Sequence, residues 1–411
     1  MAINSENYFG KIKHMVSSRD LTLSILIQIL NKAVLIKKIM KEPGGNIRLL
    51  QALRGKKICN VFYQPSTRTI VSSGLAGAGL GAYVRDIIGT KVDGEYQLIY
   101  SSLYAKGAAF LDEMMTLAKY FDLLNMRTPR VGMPLQVAEK IDKLGLDVSV
   151  INSGDGPEQI KDLVGEHPTQ ALIDIYTFLG GFNLNIERDW QKLPAYSIAF
   201  INDCRFSRSV MSDALLMGKL LRMELKFVFP EGLGPRENLL RELTEAKVRF
   251  SLHNELQPAS AAYVVRIPED WIGREKYLEF VRSRNSFSIT RDIADKYGYE
   301  GVMHPFPRSE EGNELPSYET AGENSLDGDH KAWYTKQEQN GVPMRMAADL
   351  TLIAPNLDLN KLKLNELNAS FNAQCNNCGR LCSMMAGWGS LKSERYRELP
   401  LLPFCPECLK S

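Results

Sequence analysis

Apolar positions at Leu23, Leu26, Ile27, Leu30 and Val34 recur at helical spacing between Asp20 and Lys41, predicting an amphipathic helix near the start of the chain. Ser17 and Ser18 stand before it as candidate caps. The period then changes. The run Ile58-Cys59-Asn60-Val61-Phe62-Tyr63 predicts a strand at 57–63, followed by a helix from Thr67, a strand at 82–87, a helix at 106–120, a strand at 147–152 and a helix at 168–180. After a turn-rich stretch the alternation restarts, with strands at 195–202, 224–229, 261–266 and 301–304 and helices at 208–222, 236–246 and 290–296. Strands separated by helices imply parallel sheets covered on both faces, so the fold class is α/β with two doubly wound parallel-sheet domains. Residues 309–330 read as a polar loop, 343–353 as a last helix, and 356–370 as a linker or irregular helix. Gly74, Gly77, Gly79 and Gly81 fall where a helix is predicted, and each interior Gly costs roughly 0.8–1 kcal/mol relative to Ala. A close approach of that helix to a sheet or to another helix explains such a cluster.

Composition narrows the partners. The chain has 411 residues, 44% of them hydrophobic and 24% charged, with a formal net charge of +2. That is ordinary for a globular protein and offers no electrostatic footprint for nucleic acid or a membrane surface. No apolar run approaches the roughly 18 residues of a membrane-spanning helix, and the first residues lack a secretory pattern. The expected location is the cytoplasm.

Two segments carry chemistry. Ser66-Thr67-Arg68-Thr69 follows a strand and opens a helix, so three hydroxyls, one guanidinium and the N–H groups of the helix start can hold a phosphate. The bland alternative is helix capping with a solvated Arg. His167-Pro168-Thr169-Gln170 opens the helix beginning ALIDIYTF, where His and Gln can polarise a carbonyl and hold an amide. Five of the seven cysteines lie in the last 37 residues, and Cys375-x2-Cys378 and Cys405-x2-Cys408 stand 26 residues apart. Four thiolates in that spacing suit one tetrahedral, structural Zn2+ in a small zinc-ribbon-like module at 371–411, with Cys382 a spare thiol or a substitute for Cys378.

Read in order, the motifs resemble one family over residues 5–355: S-T-R-T, Ser102-Leu-Tyr-Ala-Lys106-Gly107, Met126-Arg127, N-S-G-D-G with Asp155, HPTQ, Asp203-Cys-Arg205-Phe-Ser-Arg208, Arg266, HPFPR, and Lys331-Ala-Trp333-Tyr334. The chain is similar to aspartate carbamoyltransferase catalytic chains, and HPTQ and H-P-x-P-R separate it from the ornithine branch. The resemblance implies a carbamoyl phosphate domain at 1–165, completed by the helix near 343–360, and an amino-acid domain at 166–342. It further implies that Ser66, Thr67, Arg68, Thr69 and Arg127 bind the phosphate of carbamoyl phosphate. Arg127, His167 and Thr69 would surround the carbamoyl oxygen, while Gln170 and the carbonyls of Pro305 and Phe306 hold its NH2. Arg208 and Arg266 would take the carboxylates of L-aspartate, with Ser102 and Lys106 donated by a neighbouring subunit of a homotrimer. The product would be N-carbamoyl-L-aspartate, in pyrimidine synthesis.

Some positions depart from that family. Gln64 replaces a Glu and Trp271 its Arg partner, so domain closure is expected to use other contacts. Ile70 replaces an Arg, Gly74 and Ala108 replace Glu residues, and Pro268 replaces a Gln that helps bind aspartate, where Pro offers no donor. A ten-residue insertion, PEQIKDLVGE, precedes His167. The alternatives are therefore a catalytically weak or inactive homologue acting as a structural or regulatory partner, and a transferase for another amino acid. The cysteine module is read as a brace for subunit contacts.

Overall fold

The computed structural model describes residues 12–92, 95–99, 109–156, 165–282, 287–309, 311, 313–362, 372–374 and 381–383. Ser102, Lys106, Ala108, most of the 157–166 insertion and Cys375, Cys378, Cys405 and Cys408 lie outside the described residues, as do the side chains of Trp271 and Cys382. Helix α1 (Leu23–Lys41) forms as predicted but is capped by Thr22, whose hydroxyl accepts from the Ile25 N–H. Ser17 instead closes a capping box on the one-turn helix Ser18–Asp20. The buried face of α1 is Ile25, Leu26, Ile29, Leu30, Ala33, Ile36 and Ile39, while Val34 is 52% exposed. The true apolar stripe is thus rotated from the predicted one, because β-branched Ile and small Ala complete it.

The first half runs β1 (Lys57–Phe62), α2 (Thr67–Gly79), β2 (Tyr83–Val92), β3 (Glu95–Leu98), α3 (Phe110–Ala118), β4 (Leu123–Arg127), α4 (Met133–Lys143), β5 (Ser149–Asn152) and α5 (Pro168–Gly181). The second runs β6 (Ser197–Ile201), α6 (Arg208–Asp213, continued as a π-helix over Ala214–Leu220), β7 (Glu224–Val228), α7 (Glu237–Glu245), β8 (Phe250–His253), β9 (Ala261–Val264), α8 (Arg274–Arg282), α9 (Arg291–Lys296) and β10 (Gly301–Met303). Sheet orders are β3-β2-β1-β4-β5 and β10-β9-β6-β7-β8, parallel throughout except for the β2–β3 hairpin. Crossover order in both halves reverses at the central strands, which opens a crevice at their carboxyl ends. β3, β4, α4, β8 and α8 were not anticipated. β4 hides because Asn125 interrupts its three apolar residues, yet that Asn is buried and donates to Asn60 Oδ1 at 3.0 Å on the adjoining strand.

The last long helix, α10 (Trp333–Ile353), starts ten residues before the expected position and passes through Pro343. It returns across the molecule to pack on α1, α2 and α5, tying the two halves together. The glycine cluster in α2 serves this packing. A Cβ at Gly77 would meet Val84 Cγ2 at 2.8 Å on the sheet side, and one at Gly79 would meet Met346 Cε on α10. Gly74 faces open space. The 309–330 segment is tethered: Asp327 accepts from Arg308 Nη1 at 2.9 Å, Tyr318 N–H at 3.1 Å and Tyr334 OH at 2.7 Å. Beyond it, β11 (Asn372–Gln374) and β12 (Leu381–Ser383) form an antiparallel pair with Cys382 opposite Ala373. Among the described residues no helix is long and apolar enough to cross a membrane.

Candidate active site

Strand β1 delivers the chain to the site, where the Tyr63 N–H donates to the Arg127 carbonyl at 2.9 Å and so aligns the ends of β1 and β4. Ser66 is the N-cap residue of α2, but its hydroxyl donates to Thr69 Oγ1 at 2.9 Å and caps no N–H. The bland capping reading is therefore set aside. The helix start keeps its amide donors and positive dipole end for an anion. Thr67 and Arg68 are exposed, Thr69 is buried, and the Arg68 guanidinium lies 5.8 Å from the centre of the Phe306 ring.

That contact brings the HPFPR loop against the cradle. Phe306 has a positive φ of 46°, held by its N–H donating to His304 Nδ1 at 2.8 Å. With Nδ1 accepting, the buried His304 carries its proton on Nε2, which meets Glu314 Oε1 at 3.2 Å. The ring thus fixes the backbone at Pro305 and Phe306 from behind.

Three further side chains converge on Gly154, whose φ is +110°. A Cβ there would lie 2.8 Å from Arg127 Nη1, 3.3 Å from His167 Cδ2 and 3.5 Å from Arg208 Nη1. Arg127, at the end of β4, donates from Nη1 to the Ser153 carbonyl at 3.2 Å, while its buried Nε has no hydrogen-bond partner among the described residues. Burial and the neighbouring Arg208, Arg345 and Arg68 push its pKa well below the usual guanidinium value. Like charges held together this way produce a positive field that a multiply charged anion relieves.

His167 ends the approach to α5, its N–H anchored to Ser212 Oγ at 2.9 Å. Burial, then Arg127, Arg345 and Arg208, drive its pKa well below 6.5, so the ring is neutral. Thr169 Oγ1 accepts from Arg345 Nη1 at 2.8 Å and lies 3.2 Å from His167 Nδ1. The Thr hydroxyl proton is then free for Nδ1, and this network assigns the ring proton to Nε2, as a donor toward a carbonyl oxygen. Gln170 donates its amide nitrogen to Asp174 Oδ1 at 2.8 Å.

Arg208 opens α6 and donates from Nη1 to Gln64 Oε1 and to the Gly156 carbonyl, both at 2.9 Å. Gln64 thus links the β1 loop to the second half by a neutral acceptor. The turn before α6 is set by buried Asp203, which accepts from the Arg205 and Phe206 N–H groups at 3.0 and 2.9 Å. Desolvation raises its pKa to about 7, against the pull of those N–H groups and of Arg266. Arg266, just past β9, is near enough to bias both Asp203 and Arg68. Pro268 is buried as the N-cap residue of the helix Glu269–Ile272. Asp155 accepts from the Gly132 and Glu166 N–H groups, each at 2.7 Å, clasping the two sides of the insertion.

Sequence reasoning missed Arg345. It bonds Ser72 Oγ at 2.7 Å as well as Thr169, inside a helix without a motif. A charged residue within a stretch that packs on three helices was the available signal. Among the described residues no group of His, Cys, Asp and Glu could hold a metal ion.

Comparison with known proteins agrees with this geometry. Residues 13–179 match the aspartate/ornithine carbamoyltransferase, carbamoyl-P binding domain family model. The aspartate carbamoyltransferase catalytic subunit of Methanocaldococcus jannaschii is 29% identical over 349 residues, covering 84% of this chain and 99% of that protein. That of Cellvibrio japonicus is 30% identical over 326 residues, covering 77% and 86%. The M. jannaschii catalytic subunit superposes with a TM-score of 0.64 at 26% identity, covering 84% of this chain and 100% of that one. Aspartate transcarbamoylase from Trypanosoma cruzi, solved with carbamoyl aspartate and phosphate, shares the fold with a TM-score of 0.65 at 24% identity, over 84% and 97%. The chain belongs to the aspartate/ornithine carbamoyltransferase family, among its aspartate carbamoyltransferase catalytic subunits.

Proposed function

We propose that the chain is a carbamoyltransferase that moves the carbamoyl group of carbamoyl phosphate to the amino group of L-aspartate, giving N-carbamoyl-L-aspartate and phosphate for pyrimidine synthesis. The observation that carries this reading is the convergence of Arg127, neutral His167 and Arg208 on Gly154, with Arg127 close enough to Arg68 of the cradle to feel its charge. Arg68, Arg127 and the α2 amides take the phosphate. Thr69, Arg127 and the His167 Nε2–H stabilise the oxygen as the amine nitrogen bonds to the carbonyl carbon. The carbon–oxygen bond to phosphate then breaks, and the departing phosphate accepts the proton that the amine loses. The Gln170 amide oxygen and the carbonyls of Pro305 and Phe306 accept from the carbamoyl NH2, while Arg208 and Arg266 grip the two acceptor carboxylates.

Ser102 and Lys106 enter this scheme from a neighbouring subunit of a cytoplasmic homotrimer, and Cys375, Cys378, Cys405 and Cys408 hold a structural Zn2+. Support for the metal is the thiolate spacing, with Cys375 and Cys378 falling in the segment that joins β11 to β12. A second reading, a different amino-acid acceptor, is favoured by buried Pro268 and by the hold of Gln64 on Arg208. The test is to offer carbamoyl phosphate with a panel of amino acids and measure ureido product. Formation with L-aspartate, lost in Arg68→Ala, supports the proposal. Product with a different acceptor alone moves the specificity to the second reading, and none with any acceptor from folded trimer contradicts both.

A further inference from the structure

One carboxylate stands behind both parts of the pocket for the carbamoyl nitrogen. Asp174, on α5 and fully buried, accepts from Gln170 Nε2 at 2.8 Å and from Gln337 Nε2 at 2.6 Å, both on Oδ1, and from Tyr263 OH at 2.9 Å on Oδ2. Gln337, on α10, turns its own oxygen to the His304 N–H at 2.9 Å. The chain of bonds therefore runs from the Gln170 side chain through Asp174 and Gln337 to the backbone that carries Pro305 and Phe306. An amide nitrogen can donate to a carboxylate and an amide oxygen cannot, so Asp174 fixes which end of Gln170 remains for substrate. The remaining end is the oxygen, an acceptor.

Asp213, the last residue of α6, sits against Asp174. It is fully buried, and neither of its carboxyl oxygens receives a hydrogen bond from a protein donor among the described residues. Its carboxyl lies within hydrogen-bonding reach of Asp174. Two buried carboxyl groups in contact cannot both be ionised, and desolvation with the Asp174 charge raises the Asp213 pKa well above the carboxylate range. Asp174 already receives three donors, so it holds the charge and Asp213 the proton. The pair thereby keeps Asp174 an acceptor for both glutamines.

We propose that Asp174 is a positioning residue for carbamoyl recognition, orienting the Gln170 amide and, through Gln337, the Pro305–Phe306 loop, so that the site selects a carbamoyl NH2 over a bare phosphate. This inference rests on the proposed carbamoyl transfer. It predicts a split that a merely structural carboxylate would not produce. In Asp174→Asn the new amide nitrogen opposes donors and turns one glutamine around. The expected kcat/KM for carbamoyl phosphate falls on the order of 100-fold, while the Kd for inorganic phosphate, read by calorimetry, changes less than about twofold, because the Ser66–Thr69 cradle is untouched. Gln337→Met, of similar volume, cuts the bonds to both Asp174 and the His304 N–H while leaving the Gln170–Asp174 bond in place, and is expected to show the same split at roughly tenfold.

Folded variants with wild-type kcat/KM overturn the inference, as does an equal loss of phosphate and carbamoyl phosphate affinity. Should Asp174→Asn not fold, Gln337→Met decides alone. Wild-type transfer with unaffected variants overturns this inference only; a folded wild-type protein that transfers nothing overturns the proposed function with it.

Discussion

Replacing Gly154 by Ala tests whether Arg127, His167 and Arg208 form one site. The new Cβ would sit 2.8 Å from Arg127 Nη1, about 0.6 Å inside ordinary contact, and 3.3 Å from His167 Cδ2. Arg127 Nη1 is itself anchored to the Ser153 carbonyl at 3.2 Å, so the guanidinium must leave either that bond or its place beside His167. A displacement of that order in an oriented site costs about 100-fold in rate, or about 2.7 kcal/mol of transition-state stabilisation. The backbone adds a separate penalty, since φ is +110° at Gly154, worth about 1–3 kcal/mol of stability for a residue with a Cβ. Gly55→Ala separates the two effects. Its φ is +84° and no atom lies within 4 Å of the added Cβ. Steady-state ureido formation against carbamoyl phosphate, with denaturant unfolding of each variant, is the assay. Both variants should lose stability, and only Gly154→Ala should lose kcat/KM by about 100-fold. A folded Gly154→Ala protein within about threefold of wild type, or an equal rate loss in Gly55→Ala, would refute the reasoning.

Further outcomes follow from the same structure. The His167 ring should not titrate between about pH 6 and 8 by NMR, and since its folded pKa is depressed, its contribution to stability is present above about pH 6.5 and lost as pH falls below that; ordinary titration near 6.5 would contradict this. Arg345→Met breaks the bonds to Ser72 and Thr169, so unfolding free energy should drop by about 1–3 kcal/mol, and a change under about 0.5 kcal/mol would count against the network. Asp349 is raised to about 8 by burial, so its share of stability is full below about pH 4 and falls as pH rises through 8, a slope that Asp349→Asn should flatten. Elemental analysis of purified protein should find about one Zn2+ per chain, lost in Cys375→Ser/Cys378→Ser; a zinc-free folded protein would remove the metal from the account.

The alternation of the two α/β halves was legible because most strands are short apolar runs set between helical periods. It failed where burial is polar. Asn125 and Asn60 pair across β4 and β1, so the strand that delivers Arg127 reads as a gap. α10 was cut short because residues 334–342 carry no apolar stripe, and its polar side chains turn out to face partners such as Asp174 and His304. The site residues of the Ser66 and His167 segments were visible because local chemistry and order along the chain agree. Arg345, Asp174, Asp213 and Gln337 were not, since their meaning lies in contacts between α5, α6 and α10 that only the fold creates. Gln64 joins the halves through a contact other than the family's pair with residue 271. Having an amide in place of a carboxylate at this position does not dissolve the link between halves, because the amide oxygen still accepts from Arg208.

The central claim is carbamoyl transfer to L-aspartate. Carbamoyl phosphate labelled with 13C at its carbonyl, mixed with L-aspartate and the purified full chain, places the label under direct observation by NMR. The account predicts enzyme-dependent appearance of the carbon in N-carbamoyl-L-aspartate, absent with Arg68→Ala. A folded wild-type protein that binds phosphate, yet leaves the label in carbamoyl phosphate and its solvolysis products, would contradict it.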